Sequence, residues 1–145
     1  MSTQSTKGFT LEIVTPFRKV FSEPVSAIIA PGEEGYFGVL PKHTPLLTSL
    51  QTGHLKVEQN FPGQEPRELY FAISGGFAEV LPAGVKIFAE TAEAAAEIDV
   101  SRAEEAKKRA TERLQQGRKQ WDLARTRAAL ERAKNRLEVA ARKMR

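Results

Sequence analysis

The feature that most constrains this chain is a break in pattern near Thr91. Before it, apolar residues recur at every second position. After it, they recur at every third or fourth among alanine, glutamate, lysine and arginine, and no proline follows Pro82. A period of two belongs to a strand with one buried face, and a period near 3.6 belongs to a helix. The 145 residues therefore divide into an all-β part and an all-α part. That length suffices for one principal core with an appendage, not for two full cores.

In the first part Phe9, Leu11 and Ile13 alternate with Thr10 and Glu12, and Val25, Ala27 and Ile29 alternate with Ser26 and Ile28. The signature returns at Leu55 and Val57, at Leu69, Phe71 and Ile73, and at Val85, Ile87 and Ala89. Turn residues separate these runs at Phe61-Pro62-Gly63-Gln64 and Pro82-Ala83-Gly84. Short strands with close turns predict a β-sandwich or barrel, and no helix-length amphipathic segment lies between them to build a parallel βαβ sheet. Gly75-Gly76 precedes a strand-like run, Phe77-Ala-Glu-Val80, so it reads as a bulge or a close backbone approach and not as a dinucleotide fingerprint.

In the second part Asp99 is suited to cap a helix, because its short side chain can accept from a free first-turn amide; the helix-favouring run Glu93 to Glu97 could start that helix earlier. Ala103, Ala106, Ala110 and Leu114 form one stripe, with Glu104/Lys108 and Glu105/Arg109 pairs four apart. Gly117 is a natural stop. A second stripe runs through Trp121, Ala124, Ala128, Ala133, Leu137, Ala140 and Met144. The expected fold is thus β + α: an N-terminal all-β sandwich over 9–92 and a C-terminal antiparallel two-helix hairpin over 93–145, preceded by a disordered extension over 1–8. Alanine offers little apolar area, so the hairpin is expected to be loosely held and mobile.

The chain has no cysteine, so neither disulfides nor thiolate metal sites can hold it. It contains no Gly-x-x-x-x-Gly-Lys-Ser/Thr loop, and His43 and His54 have no metal-ligand or catalytic spacing. Neither an apolar run of membrane-spanning length nor a secretory leader is visible, which predicts a soluble, cytoplasmic-facing protein. Residues 1–98 carry 7 Lys+Arg against 11 Asp+Glu and residues 99–145 carry 15 against 7, so the halves hold −4 and +8 of the net +4. A basic tail of this kind suits an acidic protein surface, a nucleotide, a nucleic acid or an anionic membrane, and charge alone does not choose among them. A nucleic-acid module is disfavoured, because only Trp121 interleaves with the basic residues and the acidic half would repel the polyanion. A sandwich enzyme lacks a paired-carboxylate pattern.

Three segments carry a resemblance: Gly35-Tyr-Phe-Gly-Val-Leu-Pro-Lys-His-Thr-Pro-Leu-Leu-Thr48, Ile73-Ser-Gly-Gly-Phe-Ala-Glu-Val80 and Ile98-Asp-Val-Ser-Arg-Ala103. In this order and with this layout the chain resembles the epsilon subunits of F-type ATP synthases from about Phe9 onward. The resemblance implies a non-catalytic central-stalk subunit on the cytoplasmic face of a bacterial membrane, or of a thylakoid, with no required cofactor and with the membrane reached only through the complex. It implies partners: the gamma subunit, the ring of c subunits, and the alpha and beta catalytic subunits, whose acidic beta loops would meet the basic helices. It places Glu33, Glu34 and Tyr36 in a loop facing the c-ring, Tyr36 standing where relatives often carry an acidic residue, and His43 near gamma. It also implies ATP as a regulatory ligand of the folded hairpin, held by Ile98, Asp99, Arg102 and Ala103 of the Ile-Asp-x-x-Arg-Ala motif together with Arg109, Arg132 and Arg136. A turn near Gly117 would bring Arg102 level with Lys134, between Arg132 and Arg136, and several guanidinium groups so gathered suit a triphosphate.

Overall fold

The computed structural model describes residues 8–117 and 120–142. Ten strands come first: β1 (Phe9–Val14), β2 (Lys19–Val25), β3 (Ala27–Gly32), β4 (Gly35–Val39), β5 (Leu46–Ser49), β6 (Gly53–Gln59), β7 (Arg67–Ser74), β8 (Phe77–Leu81), β9 (Gly84–Phe88) and β10 (Thr91–Ala94). They form two five-stranded sheets, β2-β1-β9-β8-β5 and β10-β7-β6-β3-β4, packed as a sandwich. A single 3₁₀ turn (Ala95–Glu97) leads to α1 (Val100–Gln115), and α2 (Gln120–Arg142) returns beside it. The expected β-then-α architecture is the one observed. The extension expected over 1–8 lies, but for Gly8, outside the described residues, as do Met144 and the side chain of Trp121.

The alternation read in the sequence fills the core. Leu11, Ile13, Val25, Leu55, Val57, Phe71, Ile73, Val85 and Ile87 are all buried in one cluster between the sheets. One phase differs. Ile29, expected inside, points outward, while Ile28 and Ala30 are buried. The chain leaves one sheet at Val25 and enters the other at Ala27, and a strand that changes sheets resets which parity faces the core. Ser26 pins the crossing: its N–H and hydroxyl both donate to the Glu58 carbonyl at 2.8 and 2.9 Å, and its Oγ accepts the Asn60 N–H at 3.0 Å.

The Gly75-Gly76 pair turns with φ of 66° and 98°. A Cβ on Gly76 would lie 1.8 Å from the Phe88 carbonyl oxygen, so the two backbones touch only because no side chain intervenes. At the other junction β10 replaces the early helix start allowed for Glu93 and Ala94, pairing Thr91–Ala94 with Phe71–Ser74. The boundary expected after Ala92 therefore falls inside a strand.

Asp99 caps α1, its Oδ1 accepting the Arg102 N–H at 3.1 Å. The helix ends at Gln115, and Gly117 follows in the left-handed region with φ 61°. Ala103 and Ala110 are buried against α2 as the stripe predicts. The α2 stripe is corrected in its first half: Ala124 and Ala128 are exposed, and Leu123, Thr126 and Leu130 are the half-buried positions leading to Ala133, Leu137 and Ala140. Spacings of three and four along that line make a narrow seam, and leucine buries more apolar area there than the alanines one position away. α2 then lies on the outer face of β7 and β6, where Ala72, Ala95, Ile98, Val139 and Ala140 form a small second core.

Replacing Gly76 by alanine is expected to lower unfolding stability by more than about 2 kcal/mol, through backbone displacement and the strained φ; a urea unfolding midpoint unchanged from the parent would contradict this. Asp99→Ala should cost about 1 kcal/mol, whereas Asp99→Asn should cost a few tenths at most, because either Asp or Asn can accept the first-turn amide. Thermal unfolding followed at a helical signal reads the difference.

Candidate functional site

The hairpin and the sandwich enclose a cleft of about 470 Å³, within the range of small-ligand sites. Its wall on α1 is made by Asp99, Arg102, Ala103, Ala106 and Arg109. Arg102, Ala106 and Arg109 follow one another at steps of four and three, so they share a helix face. Arg136 of α2 closes the opposite side, and Glu93 and Glu97 enter from β10 and the 3₁₀ turn.

Five of the seven residues singled out for nucleotide contact, Asp99, Arg102, Ala103, Arg109 and Arg136, line this one cleft. Ile98 lies beneath it, buried in the second core. Arg132 stands one turn before Arg136 and borders a neighbouring crevice with Thr52, Ser74, Thr91 and Asn135, which Arg136 also lines. Of the two only Arg136 lines the cleft, and Asn135 beside it turns toward the sandwich, its Nδ2 donating to the Gly53 carbonyl at 2.7 Å. Lys134, between Arg132 and Arg136, is exposed.

The electrostatics of the cleft are balanced. Three guanidinium groups meet three carboxylates, and one pair is closed: Arg136 Nε donates to Glu93 Oε1. Glu97 is 3.9 Å from Arg18 of the β1–β2 turn. Among the described residues Arg102 and Arg109 have no carboxylate partner within 4.0 Å, so they are the cations available to an incoming anion. Glu93 and Glu97 do not stand out in the sequence, because the run between them favours helix. Two glutamates four apart would then share an outward face, whereas a strand followed by a 3₁₀ turn puts both at the cleft.

The residues singled out for partner contact separate into three settings. Glu33 and Glu34 are exposed at the tip of the β3–β4 hairpin. Tyr36 does not project from that tip; its ring lies 4.8 Å from the ring of His54, and its hydroxyl accepts the His54 N–H at 3.2 Å. His43 is half-buried at the opposite end of the sandwich. Its Nδ1 is 2.9 Å from the Leu40 carbonyl oxygen, its Nε2 faces the Leu81 carbonyl, and its ring meets Phe9 edge-on at 5.1 Å. Beside it stand exposed apolar side chains that the reading overlooked: Leu40 (65% exposed), Leu47 (69%), Leu46 and Leu81. The signal was present in Leu46-Leu47, since two adjacent leucines in a strand cannot both face the core.

Among the described residues no cluster of histidine, aspartate and glutamate is arranged to hold a metal ion, and no helix is long and apolar enough to cross a membrane.

Comparison with known proteins agrees with these features over nearly the whole chain. Residues 8–95 match the family model of the ATP synthase delta/epsilon chain β-sandwich domain, and residues 96–141 match that of its long α-helix domain. The ATP synthase epsilon chain of Syntrophobacter fumaroxidans is 51% identical over 130 residues, covering 90% of this chain and 93% of its own. That of Pelotomaculum thermopropionicum is 52% identical over 110 residues, covering 76% and 78%. Among solved structures, a chain of the Euglena gracilis mitochondrial ATP synthase, in its OSCP/F1/c-ring assembly, superposes with a TM-score of 0.76 at 28% identity, covering 93% of this chain and 82% of that one. A chain of the Tetrahymena thermophila mitochondrial ATP synthase central stalk and c-ring shares the fold, at TM-score 0.51 and 16% identity. Two family models that together span residues 8–141, and relatives half identical over nine-tenths of the chain, place this protein in the epsilon-chain family of ATP synthases.

Proposed function

We propose that this chain is a non-catalytic stalk subunit whose sandwich joins the gamma subunit to the ring of c subunits and whose hairpin regulates ATP hydrolysis, with ATP as the ligand that favours the folded hairpin. The observation that carries the regulatory part is the cleft between α1, α2 and the 3₁₀ turn, which exists only when the hairpin is folded down. A nucleotide bound there touches both helices at once. It therefore stabilises the compact state by its differential affinity for it, which is the only way a ligand can shift such an equilibrium. Arg102 and Arg109 would take phosphate oxygens, Arg136 would exchange Glu93 for phosphate, and Asp99, its second oxygen still free of the cap, would accept from the adenine amino group. When ATP is scarce the basic helices would extend along gamma and engage acidic loops of the beta subunits, opposing rotation in the hydrolytic direction.

The docking part rests on the two ends of the sandwich. Leu40, Leu46, Leu47 and Leu81 give an apolar patch beside His43, suited to a protein partner such as gamma. Glu33 and Glu34 offer charge to polar loops at the other end. Association with the membrane would then come through the assembled complex.

Calorimetric titration of the full chain with ATP should show saturable binding, weakened at least about tenfold, or about 1.4 kcal/mol, by Arg109→Ala or Arg136→Ala; no heat at millimolar nucleotide would remove the ATP part. The stalk assignment is tested by steady-state hydrolysis with a catalytic core lacking its own epsilon chain. The full chain should bind and slow turnover, while a chain ending at Glu97, which keeps β10 whole, should bind without slowing it. If neither binds, the assignment fails.

A further inference from the structure

His54 stands on the outer face of β6 where the end of α2 comes down on the sandwich. On one side is Tyr36 of β4, its ring 4.8 Å away and its hydroxyl 3.2 Å from His54 Nδ1. On the other is Tyr70 of β7, with ring centroids 6.2 Å apart. The C-terminal half of α2 comes down on the Tyr70 side of this row: the Arg142 guanidinium lies 5.2 Å from the centre of the Tyr70 ring, and Asn135 Nδ2 donates to the Gly53 carbonyl at 2.7 Å, one residue before His54. The docked end of α2 thus stands beside a half-buried imidazole.

The charges facing that imidazole come from three elements. α2 brings Arg142 and Glu138, β6 brings Lys56, and the tyrosines of β4 and β7 bring hydroxyls. Lys56 is itself held by Glu58 and Glu68 at 3.3 and 3.4 Å. Burial, and after it the Arg142 guanidinium, hold His54 below its ordinary value of 6.5; Glu138 opposes them and Lys56 adds a smaller push in their direction. When α2 lifts, its share of the burial and both α2 charges go together, while the flanking tyrosines stay.

We propose that His54 is a proton-sensitive latch for the C-terminal hairpin: the neutral imidazole lets the end of α2 lie against β6, and the imidazolium loosens it. The sign follows from linkage. The docked state binds fewer protons than the undocked one, so docking is fully supported above the ordinary imidazole range and is progressively lost as pH falls below it. The latch needs no nucleotide and stands apart from the ATP cleft, which lies on the α1 side of α2.

The test uses the full chain without nucleotide. As the chain has no cysteine, a spin-label pair can be placed at Glu131→Cys on α2 and Lys86→Cys on the outer face of the other sheet, both exposed. Between pH 8 and pH 5.5 the ratio of docked to undocked distances should fall at least about twofold. In His54→Gln, which keeps the size and polarity of the side chain, that ratio should be flat. Proton NMR of the imidazole, assigned by its loss in His54→Gln, gives the independent reading. The His54 titration midpoint should lie below that of an unhindered imidazole and should move up when Arg142→Gln removes the facing cation. A pH response that survives in His54→Gln, no response in the parent chain, or an Arg142→Gln protein whose His54 midpoint stays put would overturn the proposal.

Discussion

Contact between α2 and the outer face of β6 and β7 is the interaction on which the functional features depend. It supplies one wall of the arginine-lined cleft and brings the end of α2 down beside His54. Its means are modest. Three of the five residues in the second core are alanines, and a buried methyl contributes on the order of 1 kcal/mol. The Asn135 hydrogen bond adds a similar amount, and the Arg136–Glu93 pair, a third exposed on each side, adds less. Small side chains let helix and sheet approach closely while leaving little area to hold them together. The contact is therefore well defined in geometry and weak in energy, a combination suited to the mobile hairpin proposed above.

The charge distribution works in the same direction. An acidic sandwich and a basic hairpin on one chain attract each other, as Glu93 and Arg136 show, and an acidic partner outside the chain would compete for the same cations. A polyanion in the cleft would replace the internal carboxylate instead of adding to it, so external protein, internal carboxylate and small anion would compete for one set of guanidinium groups. Arg102 and Arg109, without carboxylate partners among the described residues, are where that competition would be most open to a newcomer.

Much of the sandwich was legible because strand alternation is a strong signal when one face is buried: Leu11, Ile13, Leu55, Val57, Phe71 and Ile87 lie where their parity put them. It failed at Ile29, where the strand changes sheets, because parity carries no mark of a crossing except the turn residue Ser26. The helix stripe was ambiguous for another reason. In a run rich in alanine every face is slightly apolar, so Ala124 and Ala128 could not be told from their neighbours until the leucines between them showed which face was covered. At the cleft, the motif around Asp99 indicated α1, but the carboxylates of Glu93 and Glu97 depended on β10 and a 3₁₀ turn in a segment whose composition favours helix. The Tyr36–His54–Tyr70 row joins three strands, and nothing local in the sequence foretells it.

β10 joins the rotor-like body to the helices, and its position makes it a mechanical anchor. It is the edge strand of its sheet, antiparallel to β7, and its last residue is the one nearest the hairpin. A pull on α1 would act on the Ala94 end and open the ladder one pair at a time, as in unzipping, and not shear all its bonds together. The far end is tied by the hydroxyl pair of Ser74 and Thr91, the last contact such a pull would reach. A hairpin that swung outward would thus load the sandwich first at a four-residue hem, before any pair deeper in the sheet.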